Sequence, residues 1–278
     1  MSRSITAAIL LILLVGRTVL VPADDPPPAK LKGEDESARA AIALEMTKAE
    51  AVRYRLELDG TDKSPVVLQP DSLLQWTNPV AGSIHGAVFV WTDRGCPVAL
   101  ASIYRFFAPN KHLGVELHSL TPTLRSASRD GVRLWSPGAA APERKPIIGA
   151  SKPADTPAGR LRQLRALASA YSATELTREN LNRDLRLLTQ PIYRYASTDP
   201  DVIDGGLFAF VQGTDPEIIL IIEARRTSSG PEWQFAAARM NSLTLQLNYK
   251  GAAVWSAPTI PWGQAQDHTQ PYTLFMYN

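Results

Sequence analysis

Few side chains in this sequence are spaced for chemistry, and the first to consider are His112, Glu116 and His118. Residues an even number apart on a β-strand share a face, so all three would project together. A set of imidazoles and a carboxylate suits zinc. The competing reading is a plain amphipathic strand: Leu113, Val115 and Leu117 take the other face, and the polar three mark its solvent side. Cys96 is the only cysteine. A nucleophilic thiol needs a base beside it, and His85 or His118 would reach it only through the tertiary fold, so Cys96 reads as a small, half-buried turn residue. Asp267-His268 is a lone acid–base neighbour pair in a loop-like C-terminal tail. No serine stands in Gly-x-Ser-x-Gly, and no glycine-rich loop opens a helix as a phosphate or dinucleotide cradle would. The residues therefore name no catalytic group and no cofactor, and only weak metal candidates. Trp91, Trp135, Trp233 and Trp255 fall in or beside strand-like runs, where aromatic rings usually fill a core; an exposed row of them would instead stack on sugars.

The elements that would carry these residues follow from periodicity. Ala38, Ile42, Met46, Ala49 and Val52 recur at steps of three and four, which predicts a helix with one apolar stripe. The period then drops to two over 53–58, the signature of a half-buried strand. Strand-like runs follow at 66–68, 73–76, 87–91, 98–106 and 113–120, separated by Asn78-Pro79, Asp93-Arg94-Gly95 and Pro109-Asn110; Asp130-Gly131 is a further turn. Connections this short favour an antiparallel meander. Segment 121–129 alternates poorly and reads as a shorter or more exposed strand.

After the Pro-, Ala- and Gly-rich segment 138–154 the pattern restarts. Thr156-Pro157 supplies an N-cap with proline at the first helical position, and Leu161, Leu164, Ala168 and Tyr171 share a stripe. Arg160, Arg162 and Arg165 read as the solvated face of that helix. Strands are expected at 185–188, 192–195, 207–211, 218–224, 233–238 and 243–249. Gly86 matches Gly206, Gly131 matches Gly251, and Trp135-Ser136 matches Trp255-Ser256, all at an offset of about 120.

The expected fold class is therefore α+β, built as two tandem units, each an amphipathic helix packed on a curved antiparallel β-sheet. The expected divisions are a signal peptide at 1–23, a Pro-rich spacer at 24–34, a first unit at 35–137, a linker at 138–154, a second unit at 155–258 and a tail at 259–278. This element order resembles the cystatin or nuclear-transport-factor-2-like class, and less closely a hot-dog fold. The run from Gly206 to Glu217 is also similar to uncharacterised exported bacterial proteins, a resemblance that implies no activity.

Met1 to Arg3, the apolar run Ile5 to Val15 and the small-residue exit Val21-Pro22-Ala23 form a secretory signal, so the expected location is periplasmic or extracellular. Arg17 interrupts the apolar run too early for a membrane anchor. The chain carries 29 basic and 27 acidic residues; removing Arg3 and Arg17 with the signal leaves a neutral protein. Neutrality gives no electrostatic reason to seek nucleic acid or anionic lipid. A non-catalytic binding or interaction protein is the reading that follows, with a protein or carbohydrate ligand. The alternatives are an enzyme with a pocket in the mouth of a curved sheet and a structural cell-surface protein. A pocket of convergent polar groups with shifted carboxylate or histidine pKa values separates the enzyme from the others.

Overall fold

The computed structural model describes residues 33–60, 65–79, 82–108 and 111–277. The expected signal peptide and most of the spacer lie outside the described residues. The described residues open with helix α1 (Gly33–Ala51), then β1 (Tyr54–Leu58), β2 (Val67–Leu68), β3 (Leu74–Thr77), β4 (Ser83–Asp93), β5 (Cys96–Ala108), β6 (His112–Ser119), β7 (Leu124–Arg129) and β8 (Val132–Trp135). A two-residue strand, β9 (Lys145–Pro146), precedes α2 (Pro157–Ala168). Strands β10 (Tyr171–Leu176), β11 (Asn182–Leu187), β12 (Tyr193–Tyr195), β13 (Val202–Gln212), β14 (Asp215–Thr227), β15 (Gly230–Arg239), β16 (Thr244–Tyr249) and β17 (Ala252–Ala257) follow. The described residues end with the single turn α3 (Trp262–Ala265) and β18 (Tyr272–Tyr277).

The fold is mostly antiparallel β-sheet with few helices, and the sheet curls as a half-barrel. One sheet runs β18-β6-β5-β4-β2 with β3 also on β4; a second runs β17-β16-β10-β11-β13-β14-β15-β9 with β12 on β13; β1, β7 and β8 form a third. The hairpins are sharp because their corners take a left-handed backbone: Arg94-Gly95, Asp130-Gly131 and Lys250-Gly251 all have positive φ at both positions. That geometry matches the twist of the flanking strands, and glycine adopts it without a Cβ penalty.

Alternation along the long strands decides the layering. On β4, Val88 and Val90 face the second sheet, and Phe89 and Trp91 face α1. On β14, Ile219 and Ile221 face the first sheet, and Ile218, Leu220 and Ile222 face the α2 side. The two sheets thus pack face to face between the two helices, and both faces of β4, β5, β13 and β14 are buried. Such strands read as continuous apolar runs. Two strands lie outside the expected units: β18, from the expected tail, pairs with β6 of the first sheet, and β9, from the expected linker, pairs with β15 of the second.

Three expectations change here. The apolar stripe expected on α1 is not its buried face, since Ile42 and Val52 are 51% and 68% exposed. Instead Ala43, Thr47, Glu50 and Ala51 are buried. Small residues let the helix approach β4 and β5, and the Glu50 carboxylate accepts bonds from Arg129 at 2.6 Å and Arg53 at 3.0 Å, so its burial is compensated. Arg160 is not on a solvated face either: it donates to Asp204 at 2.9 Å, and Arg194 donates to the same carboxylate at 2.8 Å. Tyr171, expected on the α2 stripe, begins β10 after the helix has ended at Ala168. Thr156 does cap α2, its hydroxyl accepting from the Gly159 amide at 3.1 Å. Among the described residues no helix is long and apolar enough to cross a membrane.

Candidate functional site

The layer between the two sheets is apolar in the middle and polar at both ends. One end is built from β3, β5, β6 and β18 of the first sheet and β10, β11, β14 and the residues after β15 of the second. Trp76 and Tyr104 form its wall, their ring centroids 5.6 Å apart. They lie flat because the residues beneath them are glycines: a Cβ at Gly86 would sit 2.3 Å from the Trp76 ring, and one at Gly114 would sit 2.2 Å from the Tyr104 ring. Phe106 stands edge-on to Tyr104 at 5.8 Å. Opposite this wall, Asp215 and Glu217 alternate on β14 and Glu175 projects from β10, while Glu116 stands beside the wall on β6; all four line one cavity of about 280 Å³. Its rim is tied across the sheets: the Thr77 amide donates to the Thr214 hydroxyl, which donates back to the Thr77 carbonyl, both at 2.9 Å.

The carboxyls are poorly neutralised. Glu175 pairs with Arg183 at 3.0 Å. Glu116, Asp215 and Glu217 make no ion pair among the described residues; they accept hydrogen bonds from Tyr272 (3.0 Å), Asn78 (3.0 Å) and Asn241 respectively. The Arg239 guanidinium, nearby, is spent on the carbonyls of Asn241, Leu243 and Pro258. Burial pushes the Glu116 carboxyl up to about 8, reinforced by the Asp215 charge. Burial likewise pushes Asp215 up to about 7 and raises Glu217 well above the carboxylate range, with Asp215 and Glu175 adding to the effect. Tyr104 is 9% exposed, and its hydroxyl has no hydrogen-bond partner among the described residues.

The other end of the layer is laid out similarly but neutralised. There Glu223 accepts from Tyr195 at 2.7 Å, Arg144 at 2.5 Å and Arg225 at 3.0 Å. Burial works to raise its pKa, but the arginines and the hydroxyl outweigh it and hold the carboxyl low. Cys96 lies at this end, and burial pushes its thiol up, away from the thiolate a nucleophile needs. No family model matches the chain, and no curated protein or solved structure matches it.

The residues singled out from sequence are dispersed. The polar face of β6 does not face solvent; it turns toward the second sheet, because the strand is covered on both sides. His112 stacks on Phe106 at 4.3 Å, Glu116 joins the acidic cavity, and His118 Nδ1 bonds the Ser119 carbonyl at 2.8 Å. Burial lowers the His118 pKa to about 4, so it is neutral near pH 7. Among the described residues no group of three His, Cys, Asp or Glu side chains is placed to hold a metal ion. His85 lies 3.0 Å from the Glu36 carboxylate. His268 bonds Thr273 at 2.8 Å and stacks on Phe275 at 4.0 Å. Trp91, Trp135 and Trp233 are core residues, and Trp255 is half-buried, so these four form no open stacking row.

Sequence reasoning missed Asp215, Glu217, Glu175, Trp76 and Tyr104. The available signal was the pair of alternating carboxylates in Asp215-Pro216-Glu217, set directly before the wholly apolar run Ile218 to Ile222. A strand so apolar is buried on both faces, which makes acids at its start costly and calls for a compensating reason.

Proposed function

We propose that this chain is an exported small-ligand-binding protein, with its ligand held in the acidic cavity between the two sheets. One observation carries the reading. Three carboxyls, Glu116, Asp215 and Glu217, make no ion pair among the described residues, and they converge with the Tyr104 hydroxyl, which no described residue bonds, on a cavity whose walls come from both sheets. Each carboxyl accepts one hydrogen bond and has no countercharge; desolvated carboxyls are costly unless they are neutralised and fully bonded, and a ligand is the simplest partner to serve the whole group at once. Ligand sites commonly take this form, apolar walls with a few converging polar groups.

The same reading treats the chain as two tandem units, 35–137 and 155–258, with the site at their junction. Its support is the recurring order of a helix, a short strand, two brief strands, a long hairpin and three further strands. Trp76 pairs with Gly86 as Tyr195 pairs with Gly205, a spacing of 119 that makes Gly205, rather than Gly206, the counterpart of Gly86. Export rests on the N-terminal pattern, and N-terminal sequencing of the secreted product should return Asp24 as the first residue.

A thermal-shift panel of small amines, sugars and organic acids tests the binding reading. At least one compound should raise Tm, since a ligand at 100-fold its Kd adds about 2.7 kcal/mol. Ser242→Trp, which fills the cavity from its rim, should abolish the shift. No stabilising compound, or one indifferent to Ser242→Trp, refutes the reading. A catalytic variant of it draws on Glu116 and Asp215, whose titration close to neutrality suits acid–base work. That variant requires a compound from the panel to be turned over, with the turnover lost in Glu116→Gln.

A further inference from the structure

The geometry points to a small organic cation, an alkylammonium or amidinium group, as the ligand of the acidic cavity, seated against Trp76 and Tyr104 and paired with Glu116, Asp215 and Glu217. This rests on the ligand-binding reading above and deepens it. The argument is one of charge balance. At the opposite end of the inter-sheet layer the chain supplies its own cations, Arg144 and Arg225, to the buried Glu223. At the acidic end the chain leaves that role unfilled. Arg183 is committed to Glu175 and Arg178 is exposed at the rim, while Arg239 donates to three carbonyls and offsets the rise at Glu116 without forming an ion pair with Glu116, Asp215 or Glu217 among the described residues. An incoming cation completes the balance, whereas an anion would add charge to a site already rich in carboxyls.

The remaining features fit the same ligand. Aromatic faces attract cations, most strongly where water is excluded, and the Tyr104 oxygen is available to accept an N–H. A cavity of about 280 Å³ takes on the order of ten non-hydrogen atoms, at the volume a water occupies in the liquid, which admits an amine and excludes a peptide. A lone divalent metal fits poorly, because no three acidic or histidine side chains among the described residues are close enough to ligate one ion, whereas an organic cation spreads its charge and N–H groups over several ångströms and can reach carboxyls that a single ion cannot.

Binding must then be linked to protons. The groups facing the cation are Glu116 from β6, Tyr104 from β5, Tyr272 from β18, Asp215 and Glu217 from β14, Glu175 from β10, Arg183 from β11, Arg239 from β15, and Arg178 at the rim. In the empty cavity Glu116 and Glu217 are held protonated near neutrality by burial and by the Asp215 charge. A cation favours the ionised forms, so its arrival expels protons to solvent. Affinity therefore rises with pH, by tenfold per unit for each proton released.

Titration calorimetry on the purified full chain decides this, using butane-1,4-diamine and tetramethylammonium as probes, with glucose and calcium chloride as comparisons. Each titration is run at pH 6, 7 and 8 in two buffers of different ionisation enthalpy. An ammonium probe should bind at pH 7 with release of about one proton, bind about tenfold more tightly at pH 7 than at pH 6, and lose at least tenfold in Glu217→Gln. The exposed Glu143→Gln should leave binding unchanged. Proton release and the pH trend are read on the unaltered protein, so a poorly folding variant does not rescue the inference. Glucose binding without proton release, the ammonium probes being inert, overturns the cation assignment and leaves the ligand-binding reading standing. Calcium binding more tightly than either probe also overturns the assignment. No binding by any probe overturns it too, and the thermal-shift panel then judges the broader reading separately.

Discussion

Replacing Glu116 by glutamine should make the protein more stable in alkali, and the size of the gain can be worked from its surroundings. The folded chain holds a proton on Glu116 up to about pH 8, whereas the unfolded chain releases it near its ordinary value of 4.5. Between those limits the native state binds more protons than the unfolded state, so stability falls as pH rises. The slope reaches about 1.4 kcal/mol per pH unit for one fully differing group. Across the whole window the ceiling is about 5 kcal/mol; the carboxyl opens onto a wettable cavity, so roughly 2–3 kcal/mol should be realised. Glutamine keeps the neutral shape and the acceptor for Tyr272 but cannot ionise. Urea unfolding at unit steps from pH 5 to 9 should show the two proteins within about 1 kcal/mol at pH 5, with the variant clearly ahead at pH 9. Some slope persists in the variant, because Asp215 acts in the same direction. Parallel profiles across this range would refute the claim that a buried, unpaired carboxyl occupies the cavity.

Other substitutions probe the frame. Gly114→Ala places a Cβ within 2.2 Å of the Tyr104 ring and should displace it, costing about 1–3 kcal/mol and weakening ligand binding. Gly205→Ala crowds Tyr195 similarly, at 2.4 Å, and should cost stability while sparing binding, as Tyr195 stands at the other end of the layer. Asp204→Ala strands Arg160 and Arg194 and should lower unfolding free energy by about 3–5 kcal/mol in a denaturant titration. The His118 ring protons in an NMR titration should shift near pH 4. Stability tied to neutral His118 is full above about 6.5 and is lost as pH falls from there through about 4, so His118→Gln should flatten the acid limb of the stability profile.

Local signals carried the long hairpins, because turn chemistry and alternation are written in adjacent residues: Arg94-Gly95 and Asp130-Gly131 turn where their types say they should. The helix α1 was readable as a helix but not as to its face. Its buried side is Ala43, Thr47, Glu50 and Ala51, and Glu50 is tolerated because Arg53 and, from 79 residues away, Arg129 reach it. The cavity was illegible for the same reason on a larger scale. Glu116 and Asp215 meet across nearly a hundred residues of chain, and each alone looks like a polar position on a half-exposed strand. A strand covered by a helix on one side and another sheet on the other gives polar residues on either face a meaning that period-two reasoning assigns to solvent.

The pairing of β18 with β6 has a consequence for how this polypeptide comes to be. Strand β18, which follows every other described strand in sequence, supplies the edge of the first sheet, and Tyr272 on it closes over Glu116. During synthesis the β6 edge must therefore stay open until β18 emerges. Maturation is then all at once and late: a ribosome stalled short of Tyr272 should display a protease-sensitive β6, and halves produced as separate polypeptides should recover their clasp only when mixed.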